Sequence, residues 1–305
     1  MTNENIVDVR KFVTLIVLDG FGVHPDSEGN AVIAAKTPFL DTIWTQGRST
    51  LIHASGTHVG LPGEYAGDSE VGHLNLGAGQ VVYQTLPRIN DAISGKELDN
   101  NPVIKHMFSF LGKNRGRLHL TGVLSPAGVH GHIKHLFSLL ELCAANDIDP
   151  YIHVMLDGRD TPPKEGYIYI NKLQAKIKEL GVGKIASIMG RFYGMDRDSR
   201  WERTKLAYDA MVGISDETFT DPMEVVQRAY SKGEDDQFFK PRVCVDNNSR
   251  PIGPVGNNDA ILFWNFREDR ARQLTKAFVL KDFPHFSRRN YPQNLFFATM
   301  TGYEE

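Results

Sequence analysis

Six short apolar runs bounded by turn residues recur along the chain, at 12–18, 117–124, 151–156, 184–189, 260–264 and 295–300, and each predicts a β-strand. Runs such as FVTLIVL show no polar alternation, which suits strands covered on both faces, the habit of a parallel sheet. Between them the apolar period changes to that of a helix. The stretch 133–146 brings Ile133, Leu136, Phe137, Leu140 and Cys143 to one side, and 163–180 does the same with Ile170, Leu173, Ile177 and Leu180. Thr161 then reads as an N-cap and Pro162 as a first helical residue. Strands alternating with helices predict an α/β fold. The Gly-rich stretch 56–79 reads as a long functional loop, and the polar, turn-rich stretch 213–258 as a surface excursion.

Composition narrows the picture. The 305 residues suggest roughly two domains. They are 41% hydrophobic and 23% charged, with 34 basic against 37 acidic residues and a formal charge of −3, which is ordinary for a globular chain and gives no basic face for nucleic acid. No apolar run reaches the roughly 20 residues that span a bilayer, and the first residues lack the cationic-then-apolar order of a leader, so a cytoplasmic protein without a membrane partner is expected. Two cysteines exclude a disulfide scaffold, and Cys143 reads as core filler.

Two Gly-flanked clusters carry candidate chemistry in the first eighty residues. Asp19 ends an apolar run and is followed by Gly20 and Gly22. A carboxylate at a strand's carboxyl end can present oxygens to a cation, although an isolated Asp-Gly equally fits a turn. The second is GDSEVGHLNLGAG, in which Ser69 stands among two carboxylates and a histidine. A serine hydroxyl needs a base or metal to become a nucleophile, and the alternative is a Gly-rich turn with polar caps. No G-x-S-x-G elbow supports an acyl-transfer hydrolase.

Later constellations are rich in arginine, which grips oxyanions through paired donors. Arg191 and Arg197 follow the run 184–189, whereas Arg200 and Arg203 fit a solvated helix face. Arg267 and Arg270 are spaced to share a helical face near an N-terminus, where an anion gives basic side chains a reason. Arg159 and Asp160 follow the run 151–156. His130, His132 and His135 could form a metal cluster, but no E-x-x-H or C-x-x-C partner stands nearby.

Taken in order, VLDGFG, GDSEVGHLNLGAGQVVYQ, VHGH, LDGRDTPP, MGRFYGMDRDSRWER and NFREDRARQ resemble the cofactor-independent phosphoglycerate mutases, the metal-dependent branch of the alkaline phosphatase superfamily, over residues 13–273. The resemblance implies interconversion of 3-phosphoglycerate and 2-phosphoglycerate through a phosphoserine, without 2,3-bisphosphoglycerate, and with two Mn²⁺ (or Mg²⁺ or Co²⁺) ions in the complete enzyme. It makes Ser69 the nucleophile and a metal ligand, and Asp19 a ligand of the same ion. His130, Arg159, Asp160, Arg191, Arg197, Arg267 and Arg270 become substrate-binding residues. Asp68 departs from the family's usual asparagine before the nucleophile.

The resemblance also implies architecture: an incomplete alkaline-phosphatase-like domain, residues 1–83, followed by an inserted α/β transferase domain, 84–305, with the rest of the phosphatase domain and its two aspartate and three histidine ligands absent from this chain. Such a chain alone is expected to be an inactive fragment of an enzyme that is a monomer when complete. Two other readings stay open: a different metal-dependent phosphomutase or phosphohydrolase, such as a phosphopentomutase, and a phosphoglycerate-binding module without catalysis.

Overall fold

The structure is a computed structural model that describes residues 14–25, 27–47, 49–63 and 65–304. It divides into two compact units, Met1–Gln84 and Thr85–Glu305.

In the first unit the described residues form helices α1 (Ala31–Ala34), α2 (Pro38–Thr45) and α3 (Ser69–Ala78). The strand expected at 12–18 is not formed by residues 14–18, whose Leu15, Ile16, Val17 and Leu18 are exposed; residues 12 and 13 lie outside the described residues. A strand exists only against a neighbour, and no other strand is present among the described residues of this unit. The expected loop 56–79 is half helix. Asp68 accepts the Val71 N–H at 2.8 Å as the N-cap of α3, and Gly79 ends it at φ 65°.

The second unit holds a seven-stranded sheet. Its strands are β1 (Leu118–Val123), β2 (Tyr151–Leu156), β3 (Lys184–Gly190), β4 (Thr218–Phe219), β5 (Arg242–Cys244), β6 (Ala260–Phe263) and β7 (Phe296–Thr299), in the order β4-β5-β3-β2-β1-β6-β7. All neighbours run parallel except β3 and β5. The helices are α4 (Thr85–Ser94), α5 (Pro102–Asn114), α6 (Ile133–Ala145), α7 (Gly166–Leu180), α8 (Arg191–Gly194), α9 (Trp201–Met211), α10 (Pro222–Ser231) and α11 (Arg272–Val279).

Both sheet faces are covered, as the apolar runs require. Leu118, Leu120, Ile152 and Val154 pack with α5, α6, α7 and α10, while Val123, Met155, Met189 and Phe263 pack with α9 and α11. No helix among the described residues is long and apolar enough to cross a membrane.

Three expectations need correction here. The stretch 213–258 is no mere excursion: it supplies β4, α10 and β5 and buries Phe219, Val225, Val226, Phe239 and Val243. Its polar look comes from residues that satisfy each other, such as buried Arg242 between Glu217 and Glu234 at 2.7 and 2.6 Å. Helix α7 starts at Gly166, not near Pro162, and Thr161 is not its cap; the Thr161 hydroxyl instead faces the Gly158 N–H at 3.4 Å. Arg267 and Arg270 precede α11 in the turn that leads into it and do not share a helical face.

On the face covered by α9 and α11, a hydrogen-bond chain crosses the sheet at full burial. His119 Nε2 meets Asp259 Oδ2 at 3.1 Å, His119 Nδ1 meets His153 Nε2 at 3.0 Å, and His153 Nδ1 meets Ser187 Oγ at 2.8 Å. Asp259 can only accept, so His119 carries its proton on Nε2, His153 donates from Nε2, and Ser187 donates to His153. Both rings are thereby neutral. Burial pushes the pKa of each below the usual 6.5, with Arg117 adding to the effect. His130 and His135, both pushed by burial to about 4, act in the same sense. The unfolded chain then binds more protons than the native one below pH 6.5, so stability falls on acidification, by up to about 1.4 kcal/mol per pH unit for each such ring. Urea unfolding between about pH 5 and pH 7 should show this slope, and His153→Asn should reduce it. An unchanged slope in that variant rejects the neutral-ring assignment.

Candidate functional site

Because β1, β2, β3 and β6 are parallel, their carboxyl ends lie at one edge of the sheet, and each is followed by a polar segment. After β2 come Asp157, Arg159 and Asp160; after β3, Arg191; after β1, Ser125 and His130; after β6, Asn265, Arg267, Asp269 and Arg270.

Arg191 is the hub. It is 3% exposed, and its Nη1 donates to Asp157 Oδ1 at 2.5 Å and Asp160 Oδ2 at 2.6 Å. Burial pushes the Asp157 carboxyl up, but the Ser125 hydroxyl and the Arg191 charge outweigh it and hold it low. Asp157 also accepts the N–H groups of Arg159 and Asp160 at 3.3 and 3.1 Å, which folds the loop back on itself.

His130 stands between two carboxylates, 3.9 Å from Asp160 and 3.6 Å from Asp269. Its backbone carbonyl takes the Phe266 N–H at 2.8 Å, which joins the loop after β1 to the one after β6. Gly131 lets these loops meet: a Cβ there would lie 2.8 Å from Asn265 Oδ1. Burial and the Arg191 charge lower the His130 pKa to about 4, so the ring is neutral with a single N–H to offer. Asp269 completes the ring of charges, with Arg197 at 2.7 Å and Arg267 at 3.3 Å. Arg270 donates to the Met195 carbonyl at 3.2 Å, and burial together with the charges of Arg191, Arg197 and Arg159 lowers its pKa.

The seven residues that the resemblance assigns to substrate thus follow the strand ends, Arg159 held there by its N–H on Asp157. His132 and His135 do not join them. His132 caps α6 by accepting the Lys134 N–H at 3.0 Å, and buried His135 pairs with Asn90 at 3.0 Å. Arg200 and Arg203 pair with buried Asp196, and Arg203 lies 3.7 Å over the Phe192 ring. The sequence reading missed Ser125, Asp157, Asn265 and Asp269. Asp157 and Asp269 stand inside motifs already noticed, beside the arginines they hold.

Five arginines surround three carboxylates, an excess of positive charge that an anion would relieve. Three buried atoms of the site make no hydrogen bond: His130 Nδ1 and Asp269 Oδ1, which face each other at 3.6 Å with Arg267 3.3 Å from the latter, and Asn265 Nδ2. Such atoms are rare in a finished interior, and a ligand, an ion or a water would give Asn265 Nδ2 its partner.

In the first unit, the Ser69 hydroxyl donates to Asp19 Oδ2. Ser69 opens α3, where the helix N-terminus favours negative charge, and its carbonyl lies 2.7 Å from His73 Nδ1. The Asp19-Gly20 step is also a turn: Phe21 N–H reaches the Leu18 carbonyl at 3.2 Å, and Gly20 has φ 76°. Asp68 spends its carboxylate on the helix cap, a task asparagine performs equally well. Among the described residues, no three His, Cys, Asp or Glu side chains gather to hold a metal ion. Asp19 and Ser69 supply two oxygens, so the described residues alone do not make the two-metal site that the resemblance implies.

The family model described as the BPG-independent PGAM N-terminus (iPGM_N) matches residues 89–305. The chain belongs to this family. A 2,3-bisphosphoglycerate-independent phosphoglycerate mutase of Lawsonia intracellularis is 48% identical over 293 residues, covering 96% of this chain and 57% of the relative. That of Acetivibrio thermocellus is 45% identical over 296 residues, covering 97% and 58%. The crystal structure of Leishmania mexicana phosphoglycerate mutase at low cobalt concentration matches with a TM-score of 0.74 and 32% identity, over 93% of this chain and 54% of that one. The chain thus spans little more than half the length of the BPG-independent mutases it matches.

Proposed function

We propose that the second unit is the transferase domain of a 2,3-bisphosphoglycerate-independent phosphoglycerate mutase, built to hold phosphoglycerate, and that the first unit is the opening piece of its phosphatase domain. The observation that carries this reading is the cluster of five arginines around three carboxylates at the strand ends. Arg159, Arg191, Arg197, Arg267 and Arg270 supply the donors for a phosphate and a carboxylate, His130 its single N–H, and Asp160 an acceptor for a glycerate hydroxyl. Ser69 is the group that receives the phosphoryl: its Oγ–P bond forms as the ester bond of the substrate breaks, and the proton that the serine hydroxyl gives up ends on the freed glycerate oxygen. The second glycerate hydroxyl then reverses the step at the other carbon. Two divalent ions, Mn²⁺ or in its place Mg²⁺ or Co²⁺, belong to this proposal for a polypeptide of the relatives' length, with Asp19 and Ser69 as two of the donors. A small-molecule substrate, a monomeric state and a cytoplasmic setting, without nucleic acid or membrane, complete it.

Isothermal calorimetry with 3-phosphoglycerate tests the reading on the 305-residue chain. Binding without turnover, with or without Mn²⁺, is the expected result. Failure to bind would refute the site, and metal-dependent turnover by this chain alone would refute the incompleteness of its metal set.

A further inference from the structure

Residues 235–239 run beneath both loops that carry the anion site. Asp236 is fully buried. Its Oδ2 accepts the Gly166 N–H at 2.8 Å, its Oδ1 accepts the Tyr230 hydroxyl, and its own N–H donates to the Pro163 carbonyl at 2.8 Å. The following residues take hold of the other loop: the Gln237 carbonyl accepts the Phe192 N–H at 3.1 Å, and the Phe239 carbonyl accepts the Gly190 N–H at 2.7 Å. Those two amides flank Arg191. The approach is so close that a Cβ on Gly158 would lie 2.6 Å from the Gln237 nitrogen, and Gly166 and Gly190 meet the same strap with no room for a side chain. The loop 157–166 is therefore pinned at its start by Asp157 and at its end by Asp236.

We propose that Asp236 is a positioning residue for the anion site: its carboxylate, bound to Gly166 and Tyr230, anchors the strap whose backbone meets Pro163, Phe192 and Gly190, and so sets Arg159, Asp160 and Arg191 where phosphoglycerate is gripped. The proposal rests on the reading of that cluster as the phosphoglycerate site. Asp236 also supplies the cap that Thr161 does not give α7, from a segment some distance along the chain. Its surroundings make the device sensitive to pH. Burial pushes the carboxyl up to about 6, against the opposing hydrogen bonds of Tyr230 and Gly166. The titratable and charged groups facing it are Tyr230 on α10, Tyr169 and Glu165 on and before α7, and its neighbour Asp235. Lys164 lies over the Tyr230 ring. Protonation weakens the carboxyl's hold on Gly166 and Tyr230, and with it the anchor of the strap on which both loops rest.

The test titrates 3-phosphoglycerate into the chain and into Asp236→Asn at about pH 8 and about pH 5 and takes the ratio of the two Kd values, in which the ligand's own ionisation cancels. The variant should bind roughly fivefold to tenfold more weakly at the higher pH, and the ratio should fall towards one at the lower pH, where the native carboxyl is itself protonated. A ratio of one at both values, or a larger ratio that does not change with pH, overturns the proposal. Should Asp236→Asn fail to fold, Tyr230→Phe serves: losing a donor to the charged carboxylate should move the midpoint of the affinity profile above 6. An unmoved midpoint overturns it. Failure of the native chain to bind at either pH sinks the site reading and this inference with it, whereas binding that ignores Asp236 removes only the latter.

Discussion

Arg191→Ala is expected to abolish measurable 3-phosphoglycerate binding and to cost about 3–5 kcal/mol of stability. The two losses have one origin. Arg191 and Asp157 are each 3% exposed, and Asp160 leans on the same guanidinium nitrogen. Removing the cation leaves two carboxylates without their counter-charge, one of them wholly out of water, and destroys the hub around which the other arginines are set. Calorimetry reads the loss of binding and urea unfolding the loss of stability. A variant that keeps native stability would show that Asp157 has another sufficient partner, and one that binds normally would remove Arg191 from the site. Both carboxylates lean on the one nitrogen Nη1, which a lysine ammonium can replace, whereas the remaining guanidinium donors that grip an oxyanion are lost, so Arg191→Lys should recover stability more fully than binding.

Gly122→Ala should be nearly as damaging, by a different route. Gly122 lies in β1 under the Trp264 ring, and a Cβ there would come within 2.6 Å of it. Trp264 is fully buried and its Nε1 donates to the Val123 carbonyl at 2.9 Å, while Asn265 next to it takes the Val123 N–H at 2.9 Å. Relief requires moving the indole, and with it the start of the loop that carries Asn265, Arg267, Asp269 and Arg270. About 3 kcal/mol of overpacking is expected in urea unfolding, accompanied by weaker 3-phosphoglycerate binding. A variant with native stability would mean that the ring can turn aside without cost.

The strands at 117–124, 151–156, 184–189, 260–264 and 295–300 are legible in the sequence because a strand buried on both faces is apolar at most positions, the exceptions His119, His153 and Ser187 being satisfied by one another. The same rule misleads at 12–18, where an apolar run exists but the described residues offer no neighbouring strand. Strands β4 and β5 escape because two or three residues carry no period, and Arg242, although buried, reads as a surface residue until Glu217 and Glu234 are seen beside it. The start of α7 is not legible in local sequence because its cap, Asp236, arrives from 70 residues away. At the site, arginines following strand ends are visible as a pattern. Asp157 and Asp269 are not, since a carboxylate becomes a counter-ion only when tertiary structure chooses its partner. The meeting of Ser69 and Asp19, 50 residues apart, is foreshadowed by family resemblance and by nothing in local spacing.

The order β4-β5-β3-β2-β1-β6-β7 has a consequence for biosynthesis. The sheet's earliest strand to leave the ribosome, β1, is an inner one, and the strand on its other flank is far downstream: Arg117 and Asp259, at the entries to β1 and β6, are 142 residues apart. At ordinary translation speeds that interval is on the order of ten seconds. During it the nascent chain presents an apolar, half-paired border, which makes this the period in which chaperone protection matters most.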